Sequence, residues 1–594
     1  MERVADYIVQ KICDTEIEHI FLITGRGILF LTDAVAREKN LSAVSTYHEQ
    51  GASFAAMSYA SICKSGGACL VSTGCAATNA ITAVLCAWQD NLPVIFISGN
   101  HMLNETTRYT GLPIRTYGSQ ETDIIKIVEP ITKYAVMLTD PKDVAVELEK
   151  AIYFAHEGRP GPVWIDVPLD IQNARIEIDN LEHFVIPQKK IYKISVSEVA
   201  KEISKAERPI LFLGGGVRSA DAISEVKTFI EKIKIPVAFT PSAADVCGSA
   251  NKLSVGAVGS LGGSRAGNFA VQNADFILAV GTRLCSQTTG DDFKNFAREA
   301  KIFAVDIDPE EHKKVGVKID SVIVSDAKIF LQELLNQPLQ EVSKDWQEKC
   351  LHWKETFSIQ NEEFILQQNQ ENIIDLYSFA DKLTEVIPQD ATVITDAGFE
   401  SLIIPSAVRF SEGQRCLFPK AQGAMGYAIP AILGAHFAGR KNIIAVVGDG
   451  SVMMNIQELQ IIKYHKIPAK IFVINNNMYA VIRKRQKDLF HKRTIGNDPS
   501  DGVPAPNFEK IADCFGLTYK KIQNLYELNK QIEKIILEDD SILCEVICTT
   551  DQKYFHKSFA KNEKGRIVRR PPEDLSPFLD REKFKTEMLI DPVD

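Results

Sequence analysis

The chain runs to 594 residues, 45% of them hydrophobic and 24% charged, with 67 basic against 77 acidic side chains and a formal net charge of −10. That length calls for three or four cores at ~100–200 residues each, and the acidic balance argues against a nucleic-acid or anionic-membrane scaffold. No run approaches the ~18 uninterrupted apolar residues of a membrane span, and Met1-Glu2-Arg3-Val4-Ala5-Asp6 lacks a signal-peptide pattern. The 12 cysteines include no Cys-x-x-Cys pair, so a cytoplasmic protein with reduced thiols is expected, not a disulfide framework or a zinc site.

Alternating buried strands and amphipathic helices predict an α/β protein of three blocks, residues 1–180, 190–340 and 372–551, each with a Rossmann-like parallel sheet. In the first, strands are expected over 19–23, 68–72, 93–98 and 163–166. Ile23-Thr24-Gly25-Arg26-Gly27 turns away from the first of them. Thr46-Tyr47-His48-Glu49-Gln50-Gly51-Ala52 leads a helix carrying the small residues Ala55, Ala56 and Ala60. Glu49 alone would pass for a solvated charge, since acidic residues favour helix N-termini. Gln120, in Tyr117-Gly118-Ser119-Gln120-Glu121-Thr122-Asp123-Ile124, has a plain reading as a loop residue on the surface. A polar linker is expected over 172–193.

The second block contains Gly214-Gly215-Gly216 after an apolar strand, then Gly281-Thr282-Arg283 and Asp306-Ile307-Asp308-Pro309. Glycine clusters after strands serve as turns in any Rossmann-like domain, with or without a nucleotide. A charged helical connection over 338–371 leads to the third block. There a strand over 443–447 opens into Gly448-Asp449-Gly450-Ser451, a helix is predicted over 452–465, and a strand over 470–474 ends in Asn475-Asn476-Asn477. Parallel strands joined by a helix bring their ends to one sheet edge. The Asp449 carboxylate and the Asn476 amide oxygen would then face each other, two hard oxygens suited to a Mg2+ that itself holds a diphosphate. A lone Gly-Asp-Gly is also an ordinary tight turn. Residues 552–594, rich in charge and containing Pro571-Pro572, read as an extended tail or closing flap.

Taken together, Gly448-Asp449-Gly450 with Asn475-Asn476, His48-Glu49-Gln50-Gly51-Ala52, Pro419-Lys420-Ala421-Gln422-Gly423-Ala424-Met425-Gly426-Tyr427 and Gly158-Arg159-Pro160-Gly161-Pro162 resemble the acetolactate synthase-like family of thiamine-diphosphate (ThDP) enzymes. The resemblance covers about residues 1–551. It implies a pyrimidine domain, a central domain and a diphosphate domain, with each cofactor shared between the first domain of one subunit and the third of its partner: a homodimer at minimum, or a tetramer. It implies that Glu49 activates the cofactor through the pyrimidine N1′, an interaction strongest in a dry pocket, and that Gln120 orients bound reactants. Asp449, Asn476 and the backbone carbonyl of Met478 would hold Mg2+. Gly398, Phe399, Gly450 and Ser451 would contact the diphosphate, with Tyr479 beside them. The Gly423 carbonyl would accept from the aminopyrimidine, and Met425 would wedge between the two rings.

Two departures stand out. Phe399 and Glu400 occupy the family's glutamine and histidine positions, which leaves the backbone contacts and removes the side-chain ones. In the central domain the FAD positions are matched at the glycines, but Ser286-Gln287-Thr288 replace an Asp-Asp-Arg, so FAD stays open. The expected reaction is decarboxylation of a 2-keto acid, pyruvate first, with transfer of the acyl carbanion to a carbonyl acceptor. Acetolactate synthases place a tryptophan where this chain has Arg485, within Arg483-Lys484-Arg485-Gln486-Lys487. Such a run is ordinarily a solvated helix face; beside the site, Arg483, Arg485 and Arg26 would form an acceptor pocket for a phosphate-bearing ligand. Residues 23–27, 477–483 and 575–580 resemble relatives from surface-polysaccharide sugar pathways, which makes a keto-sugar nucleotide the acceptor of interest. The alternatives are condensation of two pyruvates, and a non-catalytic ThDP-binding relative.

Overall fold

The computed structural model describes residues 1–188, 196–561 and 566–593. Its three largest sheets each have six strands, all parallel. The first runs Ser42–Ser45, His19–Leu22, Gly67–Val71, Val94–Asn100, Val163–Pro168, Tyr134–Met137 across its width. The third repeats that order with Arg415–Leu417, Thr392–Ile394, Ile443–Gly448, Lys470–Asn475, Ile542–Ile547, Thr518–Ile522. The central sheet differs: Ser254–Ala257, Val237–Phe239, Pro209–Leu213, Phe276–Val280, Lys301–Asp306, Ser321–Val324. The three-sheet α/β expectation is met. It was readable because helices cover both faces of a parallel sheet, so inner strands such as Gly67–Val71 and Phe276–Val280 are apolar and buried along their length.

The first and third domains are joined by two helices of small residues, Glu49–Ala60 and Ala428–Phe437, which pack along each other. Their closeness explains the composition. A Cβ on Gly434 would strike the carbonyl of Ala55 and crowd Ser58 across the seam. The Ser58 hydroxyl donates to the Ala431 carbonyl at 2.8 Å in the buried seam. One apolar cluster, including Phe54, Met57, Tyr427 and Ile432, runs through this seam without a break between domains.

Three local expectations differ from what is found. The helix foreseen over 452–465 is broken into Asp449–Val452, a 3-10 segment Met453–Glu458 and Leu459–Tyr464, with Asn455 at φ −135°. The linker starts later than 172, because Arg175–Ile176 pairs antiparallel with Glu2–Arg3 and ties the end of the first domain to its beginning; residues 189–193 of it lie outside the described residues. The C-terminal segment is no loose tail. Arg265, 1% exposed, donates to the carbonyls of Leu575 and Pro577 and pairs with Glu362, while buried Glu573 pairs with Arg298 at 2.7 Å. Residues 562–565 and 594 of that segment lie outside the described ones.

Candidate active site

In the third domain the strand order reverses between Thr392–Ile394 and Ile443–Gly448, the place where open α/β sheets bind ligands. Asp449 opens there. Its Oδ2 accepts the backbone amides of Asn476 at 3.1 Å and Asn477 at 2.6 Å, so the two strand ends foreseen as partners do meet. Burial pushes the Asp449 carboxyl up to about 6 against the opposing pull of the Asn477, Gly450, Asn476 and Met478 amides. Beside it, Asn476 Oδ1 is buried with no hydrogen-bond partner. A buried carboxylate next to an orphaned amide oxygen is the arrangement that a bound cation would complete. Among the described residues no cluster of three or more His, Cys, Asp or Glu offers a metal cage.

Asp396, which the motif reading passed over, organises the floor. Fully buried, it accepts from the Ala397, Gly426 and Ala428 amides and from the Ser451 hydroxyl. Ser451 in turn accepts from Gly426 at 3.0 Å. One carboxylate thus binds the Gly448–Ser451 turn, the helix start at Gly398 and the Met425 segment into one unit. Gly423 has φ +57° and Gly426 φ +83°, left-handed values that glycine adopts without strain; between them Met425 is half-buried. A Cβ on Gly450 would run into the Tyr479 ring.

Phe399 turns away from this floor and packs near Tyr554 of the C-terminal segment, ring centres 6.3 Å apart, so only its backbone is available to a phosphate. Glu400 turns inward: a Cβ on Gly398 would lie 2.6 Å from its Oε2, and one on Gly448 3.3 Å from its Oε1. Burial first, then the carboxylates of Asp396 and Asp449, push the Glu400 carboxyl up to about 8. That direction favours the protonated carboxyl, which can donate a hydrogen bond.

The first domain gathers its own set. Glu49 begins the helix Glu49–Ala60, capped by His48 Nδ1 accepting from the Gln50 amide at 3.1 Å. Its carboxylate accepts from Asn79 Nδ2 at 2.9 Å, a partner that no motif signalled. Gln120 has φ +63° and its carbonyl lies against Gly74, at the turn that precedes Asn79. Arg26, exposed, lies on the turn whose Gly27 amide donates to Ser72 Oγ at 3.2 Å. Glu49, Gln120 and Arg26 therefore share the carboxyl edge of the first sheet. Among the described residues no hydrogen bond or ion pair joins the Glu49 carboxylate to the third domain of its own chain.

The basic run forms the helix Ala480–Leu489. Arg483 is already committed to Asp498, at 2.6 Å, while Arg485 is exposed. In the central domain a cleft of about 230 Å3 opens where the strand order reverses, and reaches from Gly215 past Arg283 and Lys420 to Gly423. Two of its glycines need no ligand to explain them: a Cβ on Gly214 would strike the Gly281 carbonyl, and one on Gly216 would lie 2.7 Å from the Gly281 Cα.

Models of the thiamine pyrophosphate enzymes match the chain in order, the N-terminal TPP binding domain over 2–127, the central domain over 196–334 and the C-terminal TPP binding domain over 396–546. The protein is a thiamine-diphosphate enzyme, of the carboligase and decarboxylase class. Its relatives narrow this. An acetolactate synthase large subunit of Lactococcus lactis is 30% identical over 92% of both chains. A probable acetolactate synthase large subunit of Methanocaldococcus jannaschii is 30% identical over 91% of both, and the large subunit of Corynebacterium glutamicum is 29% identical over 99% of this chain and 93% of its own. The chain belongs to this acetolactate synthase-like family.

Proposed function

We propose that the protein, as a Mg2+-loaded homodimer, decarboxylates a 2-keto acid and passes the remaining acyl unit to a carbonyl acceptor that carries an anionic group. The observation that carries the metal assignment is the buried, partnerless Asn476 Oδ1 beside Asp449. Those two groups and the Met478 carbonyl would hold Mg2+, with Gly398, Phe399, Gly450 and Ser451 along the diphosphate. Glu400 extends this set. With its carboxyl pushed toward the protonated form and facing Gly398 and Gly448, it would donate a hydrogen bond to a phosphate oxygen. When bound, the thiazolium supplies the carbon nucleophile and accepts the electrons released with CO2. Met425 would hold the ring geometry beside the Gly423 carbonyl.

A dimer is favoured because, among the described residues, the Glu49 carboxylate bonds to Asn79 and to nothing in the third domain of its own chain, while Tyr47 and Met454 stand 62% and 49% exposed. With Arg483 held by Asp498, Arg485 is the arginine of that helix that faces an acceptor, supported by Arg26. Gln120 orients the reactants without competing for a proton. Product analysis with labelled pyruvate, alone and with a keto-sugar nucleotide, tests the reading. Acyl transfer to the sugar is expected; rapid condensation of two pyruvates, the reaction named by the relatives, unaffected by the sugar, overturns the acceptor assignment.

A second reading concerns FAD. The cleft from Gly215 to Gly423 is the feature that favours it, since the glycines themselves are accounted for by close backbone packing. The visible absorbance of the purified protein decides it.

A further inference from the structure

Glu458 belongs to the third domain and is 0% exposed, yet it is bonded to the first. Its Oε1 accepts the backbone amides of Tyr47 at 3.1 Å and His48 at 3.2 Å, and its Oε2 lies 3.3 Å from the Tyr47 amide. These are the two residues that precede Glu49. On the other side of Glu49, Gln50 Oε1 accepts from Asn455 Nδ2 at 3.0 Å, and that same Nδ2 donates to the Gly426 carbonyl at 2.8 Å. Gly51 leaves the space: a Cβ there would come 2.6 Å from Glu458 Oε1. The break at Asn455 in the expected helix is what turns both side chains toward residues 47–51.

Burial pushes the Glu458 carboxyl up to about 7 against the Tyr47 and His48 amides, and a polar group so buried is costly unless hydrogen bonds satisfy it. Here they fix the backbone on each side of Glu49. We infer that Glu458 is a positioning residue for Glu49, and that the turn it ends ties the metal site of one active centre to the activating glutamate of the other. The inference rests on the two-chain site proposed above. In that arrangement Asp449 serves one cofactor, and Glu458, on the same short segment, holds the Glu49 that serves the second.

Three measurements test it. In the cofactor-free protein, Glu458→Gln and Gly51→Ala should each speed amide hydrogen exchange in the peptide holding Tyr47 and His48. In the loaded protein, both should slow exchange of the cofactor C2 proton, by about 10²-fold if the carboxylate moves by ~1 Å, with ThDP affinity little changed. Ordinary interdomain adhesion would lower the melting temperature and leave C2 exchange alone, and wild-type exchange in both loaded variants overturns the inference. Gly51→Ala guards against a Glu458 variant that does not fold. Finally, hybrid dimers should retain about half the activity of wild type when Glu49→Gln and Glu458→Gln share one chain, and far less when they sit on opposite chains; equal activity overturns the coupling. Glu49→Gln alone is the control: unchanged C2 exchange there defeats the proposed function itself, a different failure.

Discussion

The Ser451 hydroxyl donates to Asp396 Oδ2 at 2.7 Å, and this bond joins the Gly-Asp-Gly-Ser turn to the segment that carries Met425. Asp396→Ala would strand the amides of Ala397 and Ala428 together with that hydroxyl, while Gly426 keeps Ser451 as its acceptor. Each unsatisfied buried donor costs about 1–3 kcal/mol. The expected result is a lower melting temperature and a loss of ThDP binding that added Mg2+ does not restore, measured by calorimetric titration.

Asn476→Ala removes the partnerless amide oxygen without disturbing the backbone amide that Asp449 accepts. Stability should change little or rise, because a buried group lacking a partner is removed. The Mg2+ concentration needed for half-maximal ThDP binding should climb by roughly tenfold or more, about 1.4 kcal/mol. An unchanged Mg2+ requirement would remove Asn476 from the ligand set.

Gly450→Ala puts a methyl group into the Tyr479 ring. Overpacking of this kind costs about 1–3 kcal/mol. ThDP affinity should fall with it, and the double variant Gly450→Ala with Tyr479→Leu should recover part of the loss. Recovery measured in the same titration separates a steric cause from a lost backbone contact.

Asp166 gives a pH signature away from the site. It is 1% exposed and accepts from Ser98 Oγ at 2.6 Å and Asn100 Nδ2 at 2.7 Å; burial outweighs both bonds and pushes its carboxyl up to about 7. An unfolded aspartate titrates near ~3.9. Between those two values the native state keeps a proton that the unfolded chain has released, so stability falls as pH rises through that window and levels off above it. Asp166→Asn should flatten the decline in melting temperature between about pH 4 and pH 7. A variant with the wild-type slope would mean that Asp166 is ionised in the native state.

The sheets were legible because inner parallel strands, such as Val94–Asn100 and Ile443–Gly448, are nearly continuous apolar runs that end in glycine or polar turns. The meeting of Asp449 with the Asn476 loop was legible for the same topological reason. What the chain hid is what depends on distant partners. Asp396, Asn79 and Glu458 look like any acidic or amide residue in an α/β protein, and only the fold brings Asn79 to Glu49 or Glu458 to Tyr47. The pairing of Arg483 with Asp498, across a loop, was equally invisible. The kink at Asn455 escaped because its cause is a pair of hydrogen bonds to residues 50 and 426, not a local propensity.

The placement of Arg265 has a consequence for biosynthesis. Its guanidinium is interred in the central domain, yet two of its acceptors, the carbonyls of Leu575 and Pro577, lie 310 and 312 positions further along the chain. Chains fold from the N-terminus as they emerge, so until that segment arrives Arg265 can pair with Glu362 but lacks both carbonyls. A chain cut short before Leu575 would leave two of the guanidinium's bonds unmade.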